Sequence, residues 1–166
     1  MKRHLPVAIA ATTLAACAGD NPDNVPLYGE WEMATRVDSL SIDGMQVPRE
    51  HFPPEFLALE TTEKLCGEPM FADKDWQERD ITRKVRTQCT LSQYDVTPRL
   101  VTGKGQCESD GSPADFSPGI DVRINQAPDQ YKLVVTLGGS ANVQGLSGRH
   151  VVRATAVQRG KRLGDC

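Results

Sequence analysis

The chain has 166 residues, a length that suits one domain. It carries 22 Asp and Glu against 19 Lys and Arg, which gives a formal charge of −3 at pH 7. This excess of acidic residues argues against binding to nucleic acid or to anionic lipid, because both ligands favour clustered Lys and Arg.

The N-terminus is typical of a bacterial lipoprotein signal. Lys2 and Arg3 are followed by an apolar run at 7–16, which is far shorter than a membrane-spanning helix needs. The run ends in Leu-Ala-Ala before Cys17, which has the form of a lipobox. We therefore predict a signal peptide at residues 1–16 and a lipid anchor on Cys17. The alternatives are an ordinary secretory signal that leaves Cys17 as a bystander, and a cytosolic amphipathic helix.

The segment after the signal predicts a tether. Residues 17–27 are polar and contain Pro22 and Pro26, so we expect a lipidated linker there and a single β-rich domain at 28–166. Where sorting follows the aspartate rule, Ala18 favours the outer membrane. We expect a periplasmic lipoprotein in the cell envelope of a Gram-negative bacterium, attached to the membrane through Cys17.

The domain is predicted to consist mainly of short strands. Apolar and polar residues alternate, or β-branched residues dominate, at 30–38, 90–96, 100–107, 120–125, 133–137 and 150–157. Pro53 and Pro54 favour one or two helical turns, whereas 75–86 lacks a helical stripe and is expected to be a loop with a short strand or turn. Segment 120–137 predicts a hairpin with a loop of roughly 3–5 residues. Together these patterns indicate a mainly β protein, an antiparallel β-barrel or sandwich with little helix.

Four cysteines follow Cys17, and an even number in an exported chain predicts two disulfides. They are Cys66, Cys89, Cys107 and Cys166. None forms a Cys-x-x-Cys pair, so the spacing does not favour a zinc site, and we predict no metal. Three pairings are open. We favour Cys89–Cys107 across a local hairpin, together with Cys66–Cys166.

The sequence shows no catalytic constellation, and we expect the protein not to be an enzyme. His51 and His150 are about a hundred residues apart, and no serine lies in a Gly-x-Ser-x-Gly turn. Glu30, Glu32 and Asp121 are the acids that a carbohydrate hydrolase would use. A solvated strand face explains them better, because acids alternate with apolar residues in any half-buried strand.

Two tryptophans are the ligand or partner candidates. Trp31 could stack on a ligand, although a core position in the first strand fits it better. Trp76 lies among charged residues, so partial exposure makes it the stronger candidate. Two further motifs have structural explanations: a hairpin turn for Gly103 to Gly105, and a solvated strand end for the basic cluster in 159–162.

The layout resembles a known family. The chain has Gly-Glu-Trp-Glu at 29–32, a glycine-containing turn before Cys107 and Arg-Leu-Gly-Asp-Cys at 162–166. Over about 28–166 this order is similar to a family of small proteobacterial exported proteins known only as a domain of unknown function. The resemblance implies a compact β-rich extracytoplasmic domain, and it supplies no activity and no catalytic residues.

These observations favour a non-enzymatic, lipid-anchored module that binds a ligand or another component of the envelope. A small barrel would hold one apolar ligand, and an envelope protein is the other expected partner. No cofactor is predicted. An envelope carbohydrate hydrolase and a purely structural spacer are the alternatives.

Overall fold

Eight strands form one sheet in the part of the chain that the structure describes. The structure is a computed structural model and describes residues 23–109, 111 and 114–166. The strands are β1 Gly29–Ile42, β2 Met45–Gln46, β3 Thr61–Gly67, β4 Cys89–Val96, β5 Leu100–Cys107, β6 Gly119–Ala127, β7 Gln130–Asn142 and β8 Arg149–Gly164. The helical segments are a 3₁₀ turn at Arg49–His51, α1 Pro54–Leu57 and α2 Lys74–Val85.

All strand pairs are antiparallel, in the order β2-β1-β8-β7-β6-β5-β4, and β3 also pairs with β1. The prediction of a mainly β, antiparallel fold with little helix and two disulfides is confirmed. The prediction of a β-barrel is wrong, because the sheet is not closed. The described strands also belong to one sheet rather than to the two sheets of a sandwich.

Helix α2 shows why the sheet stays open at β4. The backbone N–H of Cys89 donates to the Thr82 hydroxyl (3.0 Å), and the N–H of Leu91 donates to the Glu78 carboxylate (2.6 Å). These are the backbone groups that a closing strand would need. Because helix side chains already satisfy them, β4 remains a covered edge.

The sheet has two faces, which we call the core face and the open face. Core-face side chains form one buried cluster around Trp31, Ile124 and Tyr131, joined by Ile81 of α2. A second buried cluster lies at the other end of β1 and β8, around Leu40, and includes Phe52 from the segment between β2 and β3. The intervening positions of the strands point to the open face, as the period of two requires.

The prediction of a loop at 75–86 is wrong, because α2 occupies this segment. Asp73 caps the helix by accepting the Trp76 backbone N–H (3.0 Å). The apolar stripe is missing because two of the three buried helix positions are the polar residues Gln77 and Asp80. Gln77 donates to the Met70 carbonyl (2.7 Å), so a hydrogen bond replaces the apolar contact that periodicity would detect.

Two glycine-containing segments lie inside strands, and for Gly103 to Gly105 this contradicts the hairpin turn that we expected. Gly138 and Gly139 lie within β7, and a Cβ at Gly139 would meet atoms of Phe116 and of 117–118 at 3.2 Å. Gly103 to Gly105 lie within β5. The β6–β7 hairpin is tighter than the loop of roughly 3–5 residues that we predicted, because Ala127 pairs with Gln130 and two residues remain for the turn.

Two disulfides clamp the sheet, and they join the pairs that the sequence analysis favoured. Cys89 and Cys107 are directly opposite each other in β4 and β5, with Cα atoms 4.0 Å apart. Cys66 of β3 joins Cys166 beyond β8, with Cα atoms 5.9 Å apart. The second bond therefore ties an edge strand to the C-terminal end of the sheet.

Candidate functional site

The core face is filled by its own side chains, and Trp31 lies in its interior. The Trp31 side chain is fully buried, and its indole N–H donates to the Leu27 carbonyl (2.9 Å). Its ring packs against Tyr131, with centroids 5.7 Å apart, and Tyr131 packs edge-on against Phe71 at 4.7 Å. Trp31 is thus a core residue and presents no exposed ring surface on which a ligand could stack.

Two polar side chains inside this core are held in a hydrogen-bond chain beside the aromatic cluster. The Tyr131 hydroxyl donates to the Gln158 side-chain oxygen (3.0 Å), and the Gln158 amide donates to Thr35 (3.0 Å). Burial raises the pKa of Tyr131, and the charges of Asp80 and Glu63 add to this. The hydroxyl therefore stays protonated at ordinary pH and acts as a fixed hydrogen-bond donor rather than as a proton carrier.

The expected ligand cavity is not formed. Because the sheet is open, the described residues enclose no barrel interior. Depressions on the surface of the described chain include two that are lined by polar side chains. One of about 260 Å³ lies beside α2 and is bordered by Asp75, Glu78, Arg79, Thr82 and Gln88. The other, of about 380 Å³, lies across β4, β5 and β6 and is bordered by Gln93, Asp95, Thr102, Gly103, Lys104, Asp121 and Arg123.

The predicted acids do not face one another across a cleft. Glu30 and Glu32 are neighbours on one face of β1, and Lys64 lies 3.7 Å from Glu30. Asp121 lies on β6, and β7 and β8 separate it from β1. Three strand spacings alone separate it from the β1 acids by about 14 Å, and the register adds to this because the row of Asp121 reaches β1 at Ser39. The separation exceeds the roughly 5–9.5 Å of a glycosidase pair.

The two histidines belong to different structures. His51 is exposed in the 3₁₀ turn. The Nδ1 atom of His150 lies 2.7 Å from the Asp43 carboxylate, which also accepts the Val151 N–H (2.8 Å). This hydrogen bond raises the pKa of His150 and lowers that of Asp43. The pair closes the loop between β1 and β2 onto β8. Among the described residues no group of His, Cys, Asp or Glu could hold a metal ion.

Trp76 lies in the first turn of α2 and is half-buried. It remains a candidate for contact with a partner, although it borders neither depression. Cys17 and the predicted signal at 1–16 lie outside the described residues. So does most of the predicted tether. Its last residues pack on the domain: Asn24 accepts the Phe71 N–H (2.8 Å), and the Leu27 N–H donates to Pro128 (2.9 Å).

The open face carries the functional candidates that the sequence analysis missed. Exposed bases project from neighbouring strands: Arg36 of β1, Arg123 of β6, Lys132 of β7, and Arg159 and Lys161 of β8. We call this set the basic patch. We had expected Arg159 and Lys161 at a strand end, but β8 continues to Gly164 and places them within the sheet. The detectable signal was the position of single bases between buried residues, such as Lys132 between Tyr131 and Leu133.

Fold and surface define a small β domain that consists of one disulfide-clamped sheet with a filled core face and a charged open face. Residues 24–166 match the family described as "Protein of unknown function (DUF3617)". The chain belongs to this family, and the predicted resemblance to a domain of unknown function is confirmed. Searches of curated proteins and of solved structures found no match. No helix of the described chain is long and apolar enough to cross a membrane.

Proposed function

We propose that the protein is a non-enzymatic interaction module of the bacterial envelope, exported and held at the membrane by lipid on Cys17. It engages its partner with the open face of the sheet. The core face is used for packing, so the open face is the large surface left for recognition.

The observation that carries this proposal is the difference in exposure between the two faces of the sheet. Trp31, Val101 and Ile124 have no exposed surface on the core face, whereas the basic patch on the open face is exposed. A sheet clamped at both ends by disulfides holds exposed side chains at fixed spacings. The backbone that presents these side chains therefore needs little reordering on binding.

The cysteines support export. Disulfides persist in the periplasm and are rare in the reducing cytosol. A chain with two structural disulfides therefore fits an exported protein, and this agrees with the signal-like sequence before Cys17. The outer membrane is the destination that Ala18 favours.

The anchor is tested by metabolic labelling with a fatty acid in the bacterium that makes the protein. We expect the wild-type chain to incorporate label and to fractionate with membranes. Cys17→Ala should abolish labelling. Ser147→Ala is the control, because it removes one exposed side-chain atom from the same chain and leaves the lipobox and both disulfides intact. Labelling that survives Cys17→Ala, or natural protein that stays in the cytosol with unmodified thiols, would refute the anchored module.

The interaction role is tested by native mass spectrometry of protein extracted gently from its own membrane. We expect a lipid, another small molecule or a protein to be retained. A wild-type preparation that retains nothing, together with a deletion strain of unchanged permeability and morphology, would leave the structural spacer as the better description.

A further inference from the structure

We propose that the basic patch docks the domain flat on the phosphate-bearing headgroups of the membrane that anchors it. This inference rests on the proposed function and names its partner as an anionic lipid surface.

The strand register brings the bases of the patch together. Lys132 is directly opposite Arg159, and Lys161 is two residues further along β8 on the same face. Arg123 and Arg36 lie in the next row, on either side of Val134 and Val157. These two valines are half-buried. The tertiary structure thus builds a continuous basic surface across β6, β7, β8 and β1.

Part of this charge already interacts within the fold, because Lys161 is directly opposite Glu32 and Arg36 attracts the Glu60 carboxylate. Within the described chain, none of the five bases makes an ion pair within 4.0 Å, although Lys64, Lys84 and Arg149 each do. Like charges directly opposite in an antiparallel pair are destabilising, and Lys132 and Arg159 are such a pair. An external anion would remove this repulsion, which is the reason to assign the patch to binding.

Acidic residues border the patch but do not interrupt it. Glu32 is opposite Lys161, Asp121 is two residues from Arg123, and Asp38 follows Arg36 beyond Val37. The positions between the bases are neutral, namely Ala34, Asn125, Val134 and Val157. Charges more than about 8 Å away are largely screened at physiological salt. The distant acids of the chain therefore have little effect at this face. Glu32, Asp121 and Asp38 lie inside that distance and offset part of the charge, but the five bases outnumber them.

The position of the patch suits a membrane rather than a soluble polyanion. Leu27 is held at Pro128, in the turn between β6 and β7, and the patch begins just beyond this turn. At roughly 3.5 Å per residue, the chain from Cys17 to Asn24 reaches at most about 25 Å. Asn24 itself is held at Phe71 on the core-face side. A lipid on Cys17 therefore keeps the domain within about 25 Å of the headgroups, a distance that allows the open face to turn toward them. Guanidinium groups such as Arg159 also match phosphate oxygens in a bidentate manner.

The test is co-sedimentation of the full chain carrying Cys17→Ala, which cannot be lipidated, with two kinds of vesicle. One contains phosphatidylcholine alone, and the other contains phosphatidylcholine and phosphatidylglycerol in equal parts. The apolar segment at 7–16 is shared by all variants, so the difference between the two vesicles is the measurement. We expect preferential binding to the anionic vesicle, weakened by added salt.

The decisive variant is Lys132→Gln with Arg159→Gln, and its matched control is Lys74→Gln with Arg79→Gln on α2, which has the same change in charge. Each base near an anionic surface contributes roughly a fivefold increase in affinity, so the patch variant should bind about 25-fold more weakly. The control should bind like the parent. A circular dichroism spectrum and a urea midpoint like those of the parent show that each variant is folded.

Equal losses in the two variants, or no preference for the anionic vesicle, would overturn the docking surface. Binding to inorganic polyphosphate or RNA without binding to vesicles would replace the membrane with a soluble polyanion. If vesicle binding fails while Cys17 is lipidated and a partner is retained in native mass spectrometry, this inference falls and the proposed function stands. If Cys17 is not lipidated, the anchored module fails whatever the vesicles show.

Discussion

The two disulfides should respond differently to a reductant, because one is exposed and the other is buried. Cys89 and Cys107 are 1 % and 0 % exposed, whereas Cys66 and Cys166 lie on the surface. Thiol–disulfide exchange requires a thiolate to reach a sulfur atom. Dithiothreitol should therefore reduce the Cys66–Cys166 disulfide in the native protein. The Cys89–Cys107 disulfide should remain intact until the protein unfolds. Alkylation at successive times, followed by peptide mass spectrometry, measures the two rates.

Opening the exposed bond should be costly. Cys66 and Cys166 are 100 residues apart, and loop-closure entropy for such a loop corresponds to about 4.7 kcal/mol. The Cys89–Cys107 loop of 18 residues corresponds to about 3 kcal/mol. Small domains have a net stability of about 5–15 kcal/mol, so the first loss alone removes a large share. Little else holds β3, since it pairs with β1 alone and Thr61 to Cys66 are exposed.

Urea denaturation of Cys66→Ala with Cys166→Ala tests this magnitude, and Cys89→Ala with Cys107→Ala is the comparison. We expect the free energy of unfolding to fall by about 4.7 kcal/mol in the first variant. A fall below about 1 kcal/mol would show that the long loop is already restricted in the unfolded chain. Reduction of Cys89–Cys107 as fast as Cys66–Cys166, under native conditions, would refute the argument from burial.

Two further predictions concern local contacts. A Cβ at Gly160 would overlap the buried Tyr131 ring, so Gly160→Ala should lower the free energy of unfolding, measured in urea, by about 1–3 kcal/mol. Gly138→Ala is the control, because its added methyl meets only Arg153 at 4.0 Å and should change the free energy of unfolding by less than about 0.5 kcal/mol. Equal effects of the two substitutions would contradict the packing. Because the pKa of His150 is raised, its pairing with Asp43 stabilises the folded protein fully below pH 6.5, and this stabilisation is lost as the pH rises through the folded-state pKa. Because the pKa of Asp43 is lowered, the contribution of its carboxylate to stability is present above pH 3.8. Asp43→Asn should therefore lower the urea midpoint most between these two values and least in alkaline solution, and a pH-independent difference would contradict the pairing.

Much of the sheet was predictable because its strands alternate strongly. Ile120, Val122 and Ile124 are buried while Asp121 and Arg123 are exposed, as a period of two requires. Strand β3 was missed because Thr61 to Cys66 are all exposed, so burial leaves no alternation to detect. Helix α2 was missed for a related reason, since its buried Gln77 and Asp80 are held by polar contacts.

The candidate surface was harder to predict than the strands. Arg36, Arg123 and Lys132 come from distant parts of the chain, and only strand order and register make them neighbours. Net charge pointed away from an anionic partner, because a sum over the chain carries no information on where the charges lie.

By itself, the sequence determined which residues face inward along the recognisable strands and that two disulfides form, because side-chain alternation and cysteine number are local or countable properties. The tertiary structure alone decided that the sheet stays open, with α2 side chains on the N–H groups of Cys89 and Leu91. It also decided that bases far apart in the chain form one surface. Both results depend on which strands become neighbours, and that choice is made by packing across the whole domain.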